Sequence, residues 1–463
     1  MFLKKILFLS ILTFTNAFIP NLINRNHKIS AHEINEIINY ADINLKDKEI
    51  ISKINGFYGI IGPDIKITSI SNLYNLFLGN GNIQGVFFNN GELKFIKYFI
   101  RTEKILFEEL NNKVSNNFML ITFLTIINKI FPNNIIPNLL GAANTAIINI
   151  KNNSYALFEQ DYPYKIDINF DKKQIYTIGK QKINKFEHFS AHSKFDNDII
   201  HSIDYDIFKN KVEYYSMNEN FEILNKITLK TDYIPLIHDF IVLKDNILIT
   251  DSPLKFNFEK LLNSNIPVSF ENKLPTKIHI IDKKNGNLTT YISDEGFYIF
   301  HYACYTETDD TIEFFASVYE NLDFSKLNVH GYYRKIILNK KTKNVTIEKN
   351  LELETHNLEF PVKLEKTIIL PSIKNNKINS FLVCEGLNIN KEIFIKDKSI
   401  CGEPVITEID NVPYLISFAY GENNNGFLLV INMNNFHTIE IPIPHNINIG
   451  FHSIFIKNWL ILI

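Results

Sequence analysis

The sequence predicts an all-β protein, and three observations carry that prediction. From about residue 50 onward, short apolar runs rich in Ile, Phe, Tyr and Val alternate with turn clusters at intervals typical of β-strands. Two Asn-Gly pairs, Asn90–Gly91 and Asn285–Gly286, each lie between two such runs, which is a strong hairpin signal. The stretches "DFIVLKDNILITD" and "GFLLVINMNNFHTIEIPI" predict further hairpins with slightly longer turns. Many successive antiparallel hairpins favour a β-propeller or a set of β-sandwiches.

Length and periodicity leave that choice open. A chain of 463 residues is long enough for one large domain or for two to three ordinary ones. A clean fixed-period repeat, which marks the regular propeller families, is not visible in the sequence. Composition alone therefore does not decide between a propeller and sandwiches.

One segment departs from the strand pattern. Residues 104 to 140 have apolar side chains at spacings of three to four, as at Ile121, Leu124, Ile127 and Phe131, and this spacing predicts helix. A helical insertion in a β-protein either caps a cavity, presents apolar side chains to a membrane, or packs on a sheet edge. No later segment is long and apolar enough for a transmembrane helix.

The charge balance and the cysteine count exclude several classes of protein. The 48 basic and 50 acidic residues give a net charge of −2, so the sequence predicts no nucleic-acid partner. Three scattered cysteines are too few for a disulfide framework, and no CxxC pair is present to bind zinc. We expect all three to be free thiols.

The first residues have the layout of a targeting segment. Residues 1–17, "MFLKKILFLSILTFTNA", combine two lysines, an apolar stretch and a small residue at Ala17, which predicts a signal peptide. Residues 18–45 begin with Phe18 and a basic stretch, and this pattern resembles the bipartite leaders that direct proteins to complex plastids. Plain secretion is the alternative. The predicted β domain then covers residues 46–463.

Four of the 13 histidines differ from the others because each lies at a strand edge beside apolar residues. They are His192, His238, His301 and His452. Their spacing is far too wide for a local metal motif such as HExxH. They can meet only if a closed sheet brings distant strands to one axis.

The sequence around these histidines resembles the carotenoid cleavage oxygenase family, which includes the retinal pigment epithelium isomerohydrolase and the stilbene-cleaving dioxygenases. The resemblance extends from "GFYGIIGPD" at residue 56 to His452, and its pieces occur in family order. They are "FLGNGNIQGVFF", "RTEK", "NTAIINIKNNSYALFEQDYPYKID", "AHSKFD", "IHDFIVLKDNILITDSPL", "FHYACYTE", "YYRKIILN", "LEFP", "GEPV" and "IGFHS".

This resemblance implies a seven-bladed β-propeller with a small helical cap over an iron face. In the family, one histidine from each of four blades binds Fe(II) on the axis, and the motifs assign these roles to His192, His238, His301 and His452. The residue type agrees, because neutral imidazoles suit Fe(II) and four of them leave positions open for oxygen and substrate. Gly450 is expected to allow the close turn before His452.

The resemblance also implies three carboxylates that orient the ligands. Each metal-bound imidazole needs an acceptor on its other nitrogen. Carried over by motif, Glu159 would orient His238, Glu359 would orient His301 and Glu403 would orient His452, while His192 would have no carboxylate partner. Thr145, in "NTAII", matches a residue that stands beside an open iron position in many cleaving members, and it favours a cleaving enzyme over an isomerase.

Three residues depart from the family pattern. Ser193 replaces a proline after the first histidine, Cys304 stands where an asparagine is usual, and Ser453 replaces a glycine after the last histidine. All three lie close to predicted ligands. Their effect on loop geometry, and through it on activity, is left open by the sequence.

The resemblance therefore implies a non-haem Fe(II) dioxygenase that cleaves a C=C bond of a carotenoid or apocarotenoid with O2 to give carbonyl products. Stilbene cleavage, a retinoid isomerohydrolase reaction and a non-catalytic polyene-binding propeller are the alternatives. Because carotenoids reside in bilayers, we also expect peripheral membrane association. The candidate contact is residues 118–140, with Phe118, Phe123 and Phe131.

Overall fold

The described strands form seven antiparallel blades that follow one another along the chain. The structure is a computed structural model that describes residues 33–65, 73–111, 138, 140–159, 161–184, 186, 188–206, 209–257, 259–260, 268–326 and 329–458. The predicted all-β class is confirmed, and the seven-bladed propeller implied by the family resemblance is the architecture observed.

The first three blades contain four strands each from consecutive stretches of chain. Blade 1 contains β1 (Ile34–Ile37), β2 (Gly56–Pro63), β3 (Gly81–Asn89) and β4 (Glu92–Phe99). Blade 2 contains β5 (Ala146–Ile150), β6 (Asn153–Leu157), β7 (Tyr164–Asn169) and β8 (Gln174–Lys180). Blade 3 contains β9 (Lys194–Asp196), β10 (Ile199–Asp206), β11 (Lys211–Asn218) and β12 (Ile223–Lys230).

The next two blades follow the same order, with one added hairpin. Blade 4 contains β13 (Ile241–Val242), β14 (Asn246–Asp251), β17 (Lys277–Asp282) and β18 (Leu288–Ile292). The hairpin of β15 (Leu254–Phe256) and β16 (Val268–Phe270) is inserted between β14 and β17. Blade 5 contains β19 (Tyr298–Glu307), β20 (Thr311–Tyr319), β21 (Tyr332–Asn339) and β22 (Val345–Glu348).

The last two blades are joined through one residue pair, Ile378 with Ile400. Blade 6 contains β23 (Asn357–Leu358), β24 (Val362–Leu364), β25 (Thr367–Lys374), β26 (Lys377–Glu385) and β27 (Asn388–Phe394). Blade 7 contains β28 (Lys398–Ile400), β29 (Val405–Ile409), β30 (Val412–Gly421), β31 (Asn425–Asn432) and β32 (Thr438–Asn446). The final strand, β33 (His452–Lys457), returns to blade 1 and pairs with β2, which closes the ring.

The hairpins predicted from Asn-Gly pairs are present. Asn90 and Gly91 connect β3 to β4 with φ of 49° and 84°, which is the left-handed geometry that a two-residue hairpin turn requires. Asn285 and Gly286 lie between β17 and β18, where Gly286 has φ 74°. These turns fix the register of each hairpin, and with it the face on which every side chain lies.

The apolar core is divided into clusters between neighbouring blades. One such cluster joins blades 3 and 4 around Val212 and Ile249, and another joins blades 4 and 5 around Leu248 and Phe314. The contact between blades 7 and 1 has its own cluster, which includes Phe418. Because each blade is buried against both of its neighbours, the alternating apolar residues of the hairpins are satisfied only in the closed ring.

Three α-helices lie outside the blades in the part of the chain that the structure describes. They are α1 (Leu45–Ser52), α2 (Leu73–Leu78) and α3 (Glu103–Asn111), and a short 3₁₀ helix covers Leu353–Thr355. The helix predicted from residue 104 onward is therefore present in its first part, as α3, whereas residues 112–137 and 139 lie outside the described residues. None of the described helices has the length and apolar character needed to cross a membrane.

The amino-terminal boundary differs in part from the predicted one. Strand β1 pairs with β4, so blade 1 begins before residue 46 and includes part of the segment assigned to a leader. The signal peptide of residues 1–17 lies outside the described residues, and a leader before residue 33 stays a prediction. The three cysteines are free thiols, as expected.

A buried arginine connects blade 5 to the 3₁₀ helix, and we expect its loss to destabilise the fold. Arg334 is 1% exposed and donates two hydrogen bonds to Glu354, of 2.9 and 2.7 Å, and one of 2.6 Å to Glu320. The substitution Arg334→Met should lower the free energy of unfolding by about 3 kcal/mol, because Glu354 loses its doubly hydrogen-bonded partner and Glu320 loses the nearer of its two cations.

Urea unfolding followed by circular dichroism measures this change. Lys349→Met is the matched control, because Lys349 pairs with Glu295 and Glu320 at a more exposed position. The control should change the unfolding free energy by less than about 1 kcal/mol. Equal unfolding midpoints for the two variants would contradict the structural role of Arg334.

Candidate metal centre

Four histidines from four different blades meet in the structure. His192 lies two residues before β9, His238 lies between β12 and β13, His301 lies in β19 and His452 begins β33. One ring nitrogen from each lies within 4.8 Å of the others. Because β9, β13, β19 and β33 belong to separate blades, only closure of the ring brings these four side chains together.

The inward-facing nitrogens are the Nε2 atoms. His192 Nε2 lies 3.0 Å from His238 Nε2, and His301 Nε2 lies 3.2 Å from His452 Nε2. Burial, together with the neighbouring imidazoles, holds the pKa of His192 and of His301 well below the usual value. These two imidazoles are therefore neutral at pH 7 and have lone pairs available, which is the form that binds a metal.

Each of the three predicted glutamates lies beside the imidazole to which the resemblance assigned it. Glu159 Oε1 is 2.6 Å from His238 Nδ1, although the two atoms are not aligned for a good hydrogen bond. Glu359 Oε1 lies within hydrogen-bonding distance of His301 Nδ1. Each contact leaves the Nε2 atom of its imidazole facing the centre, which is the orientation that a metal site requires.

The contact between Glu403 and His452 and the surroundings of His192 also match the assignment made from the sequence. Glu403 Oε2 lies 3.1 Å from Nδ1 of His452. His192 instead donates its backbone N–H to Ser190 Oγ at 3.1 Å, and no contact with a carboxylate is found for its ring among the described residues. That these residues bind a metal stays a prediction, but their donor set fits one.

Glu359 has a second partner that the sequence did not indicate. Tyr319, the last residue of β20, donates its hydroxyl to Glu359 Oε2 at 2.7 Å. Burial raises the pKa of Glu359 to about 8, and the Tyr319 hydroxyl acts in the opposite direction. No local pattern in the sequence predicts this contact, because Tyr319 lies in blade 5 and Glu359 lies between β23 and β24 of blade 6.

The departures from the family pattern are accommodated by hydrogen bonds. Ser193 donates its hydroxyl to Ser190 O at 2.8 Å and also lies 2.8 Å from Ser202 Oγ. Ser453 donates its backbone N–H to Glu403 Oε2 at 3.1 Å, and its hydroxyl to the Glu403 carbonyl. Each serine therefore supports the loop of the neighbouring histidine. Cys304 packs instead against the cluster between blades 5 and 6.

A cavity of about 420 Å³ opens onto the histidines. Thr145 lines it together with three of the four imidazoles, those of His238, His301 and His452. Most other lining side chains are apolar, including Phe77, Phe300, Phe360, Ile373, Ile449 and Phe451. Thr145 is 3% exposed and donates its hydroxyl to Asn144 Oδ1 at 3.1 Å. Thr145 therefore lines the same cavity as three of the predicted ligands, and its role beside an open metal position stays a prediction.

The short segment before Glu403 is packed against the segment before His452. Gly402 has φ +155°, and a Cβ there would lie 2.4 Å from the Gly450 carbonyl oxygen. A Cβ on Gly450 would lie 2.4 Å from a side-chain carbon of Ile60, so the chain packs closely here, while the turn expected at this glycine stays a prediction. A side chain at Gly402 would therefore require a backbone shift, whereas one at Gly450 would require the Ile60 side chain to move.

The substitution Gly402→Ala should therefore separate Glu403 from His452 and lower the affinity of the centre for a divalent metal by about 10-fold or more. Titration of the metal-free protein with Co²⁺ measures this affinity. Gly386→Ala is the control, because Gly386 also has a positive φ, +57°, but a Cβ there would have no other atom within 4 Å. Equal losses of affinity in both variants would show that backbone strain alone, and not the contact with Gly450, is responsible.

The ring of blades and the axial imidazoles define a class: β-propellers with a four-histidine centre. The chain belongs to the retinal pigment epithelial membrane protein family, whose model matches residues 49–457.

The chain is 22% identical over 477 aligned residues to carotenoid 9,10(9',10')-cleavage dioxygenase 1 of Arabidopsis thaliana, with 87% of this chain and 84% of that protein covered. The pea (Pisum sativum) enzyme of the same name is 23% identical over 296 residues. That alignment covers 58% of this chain and about half, 52%, of the pea protein.

Solved structures with the same fold are oxygenases. A variant of Synechocystis apocarotenoid oxygenase superposes with a TM-score of 0.72 at 16% identity, covering 94% of this chain and 98% of that one. Lignostilbene dioxygenase of Pseudomonas brassicacearum superposes with a TM-score of 0.75 at 14% identity, covering 95% and 98%. A cobalt-substituted form of the Synechocystis enzyme also matches, with a TM-score of 0.72. At these identities the superpositions establish the fold.

Proposed function

We propose that the protein is a non-haem Fe(II) dioxygenase that cleaves a C=C bond of a carotenoid or apocarotenoid with O2. The observation that carries this proposal is the four-imidazole cluster at the wall of an apolar cavity. Neutral imidazoles suit Fe(II). An apolar cavity with few polar groups suits a polyene, which offers almost no hydrogen-bonding atoms.

The residues of the chain have defined roles in this reaction. His192, His238, His301 and His452 would hold the ferrous ion, which supplies the oxygen activation that the polypeptide lacks. Glu159, Glu359 and Glu403 keep three of the imidazoles aimed inward. Each carbon of the cleaved bond receives one atom of O2 and becomes a carbonyl carbon, so no proton transfer from a side chain is required.

The cavity wall orients the polyene and excludes water. Phe300 packs edge-on against His238, with the ring centroids 5.6 Å apart, and Phe360 lies 5.4 Å from the ring of His301. Aromatic side chains at these positions place apolar surface directly beside the imidazoles. Thr145 lines the same cavity as three of these imidazoles.

The test is anaerobic purification with Fe(II), followed by incubation with carotenoids, apocarotenoids and stilbenes under O2. We expect bleaching of a polyene and carbonyl products that mass spectrometry identifies. Cleavage of stilbenes alone would favour the stilbene alternative, and release of a retinol isomer from a retinyl ester would favour the isomerohydrolase. Binding of pigment without bleaching in the presence of iron and O2 would overturn catalysis and leave a polyene-binding propeller.

We also propose that the protein docks on a membrane surface close to α3. Leu106 and Leu110 lie one helical turn apart on α3 and are 45% and 85% exposed. The helix ends at Asn111, shortly before Phe118, Phe123 and Phe131, which lie outside the described residues. Apolar side chains on this stretch would enter the boundary between lipid headgroups and acyl chains, where a polyene can be taken up.

Liposome flotation tests this docking. The pair Leu106→Ser and Leu110→Ser should reduce binding to neutral vesicles, and so should replacement of the three phenylalanines by serine in a separate variant. Leu351→Ser is the control, because Leu351 is 89% exposed but belongs to the segment between β22 and the 3₁₀ helix. Unchanged flotation of both sets of variants would contradict the proposal.

For localisation, we propose entry into the secretory pathway and delivery to a complex plastid. The supporting observation is the sequence pattern of residues 1–32 alone. Fusion of this segment to a fluorescent protein in an alga with a complex plastid tests it. Fluorescence in the plastid supports the proposal, whereas secretion of the fusion into the medium overturns the plastid step.

A further inference from the structure

We propose that Asp239 is a positioning residue that holds three of the four histidine-bearing segments in register and thereby sets the metal affinity of the centre. This inference rests on the proposed function in one respect, since it assumes that the histidines bind a metal. Asp239 directly follows His238 in the chain. Its side chain is only 5% exposed, although it is a carboxylate.

The contacts of Asp239 join three blades. Its Oδ1 accepts a hydrogen bond of 2.7 Å from Lys194 Nζ and one of 2.8 Å from the backbone N–H of Phe240. Its Oδ2 accepts a hydrogen bond of 3.3 Å from the backbone N–H of Tyr302. Lys194 belongs to blade 3 and Tyr302 to blade 5, so one carboxylate connects both to the start of blade 4.

Each partner is next to a histidine of the centre. Lys194 follows His192 by two residues, and Tyr302 directly follows His301. A movement of Asp239 would therefore be transmitted through very short stretches of backbone to three imidazoles. His452 is supported separately, by Glu403, which accepts from the backbone N–H of Ser453 as well.

Strand β19 is irregular at Tyr302, the residue whose amide contacts Asp239. The register between β19 and β20 shifts on both sides of Tyr302, which pairs with Ala316. Such bulges interrupt the ladder and re-aim side chains, and they occur preferentially beside functional sites. Here the irregular stretch includes His301, and the amide of the next residue, Tyr302, donates to Asp239. The bulge and the carboxylate therefore act together in placing His301.

The experiment compares Asp239→Asn with a matched control, Asp251→Asn. Asp251 is also buried, 1% exposed, and also accepts a backbone N–H, from Asp232 at 2.9 Å, but no histidine of the centre adjoins it or its partner in the chain. Metal-free protein is titrated with Co²⁺ under anaerobic conditions, and the visible spectrum of bound Co²⁺ is recorded. Urea unfolding of the same variants measures stability.

We expect Asp239→Asn to weaken Co²⁺ binding by about 10-fold to 100-fold and to change the Co²⁺ spectrum, since loss of an outer partner of a metal ligand has effects of this size. Asp251→Asn should keep both the affinity and the spectrum, whatever its effect on stability. In the metal-free protein, hydrogen exchange at the Tyr302 amide should also become faster in Asp239→Ala, because its acceptor is removed.

A Co²⁺ affinity within about twofold of that of the unchanged protein, with the same spectrum, would overturn the role of Asp239. Equal loss of affinity in the Asp251 variant would do the same, since it would reveal a general effect of destabilisation. If the unchanged protein binds no Co²⁺, both this inference and the metal role in the proposed function fail. If affinity falls as expected but no polyene is cleaved, only the proposed function fails.

Discussion

Replacement of His238 by alanine is expected to abolish polyene cleavage and to weaken Co²⁺ or Fe²⁺ binding by at least about 100-fold. His238 supplies one of the four nitrogens that lie within 4.8 Å of one another, and its Nδ1 side is occupied by Glu159. Alanine removes the nitrogen and leaves a buried carboxylate without its partner, so the remaining three imidazoles face an uncompensated negative charge.

The measurements are metal content after anaerobic reconstitution, Co²⁺ titration and bleaching of a polyene under O2. His279→Ala is the matched control, because His279 is buried at 3% exposure, lies in blade 4, and bonds to Thr290 rather than to the centre. Stoichiometric metal in the His238 variant would show that the cluster is not the metal site. A loss of metal in both variants would show that the change acts through the fold of blade 4.

The second large effect is expected at Glu359. Glu359→Gln should weaken metal binding by about 10-fold to 100-fold, because the carboxylate accepts hydrogen bonds on both oxygens and a carboxamide has only one acceptor atom. One oxygen faces His301 Nδ1 and the other accepts from the Tyr319 hydroxyl. The amide NH₂ of the glutamine must then face either His301 Nδ1 or the Tyr319 hydroxyl, and both of these are donors. In the first case His301 rotates, and in the second case Tyr319 loses its acceptor.

Tyr319→Phe separates these two contributions. It removes only the hydroxyl partner and leaves the contact between Glu359 and His301, so its effect on metal affinity should be smaller than about 10-fold. Co²⁺ titration and the Co²⁺ spectrum report both variants. An affinity for Glu359→Gln equal to that of the unchanged protein would mean that His301 needs no carboxylate for its orientation.

The strand pattern and the turn residues made the fold class accessible from the sequence. Asn90 and Gly91 predict a hairpin because they tolerate the left-handed backbone that its turn needs, and this turn is found between β3 and β4. The number of blades did not follow from these local signals. It followed from the family resemblance, and it depends on β33 pairing with β2 nearly 400 residues earlier in the chain, which no local preference encodes.

At the candidate site, too, some residues could be predicted from the sequence and others only from the structure. The four histidines and the three glutamates beside His238, His301 and His452 were named from motifs, and the structure places them together. Tyr319 and the departures at Ser193 and Ser453 received roles only from their contacts. A hydroxyl on a strand gives no sign in the sequence of which carboxylate it will meet.

The sequence by itself determined the hairpins, the alternation of buried and exposed positions and, through the family motifs, the identities of the residues at the centre. The tertiary structure alone decided which side chains meet across blades. Asp239 lies 45 residues from Lys194 and 63 residues from Tyr302, yet it bonds to both. Such contacts depend on the register of separate sheets and on the packing of each blade against the next, and these are properties of the closed ring rather than of any one segment.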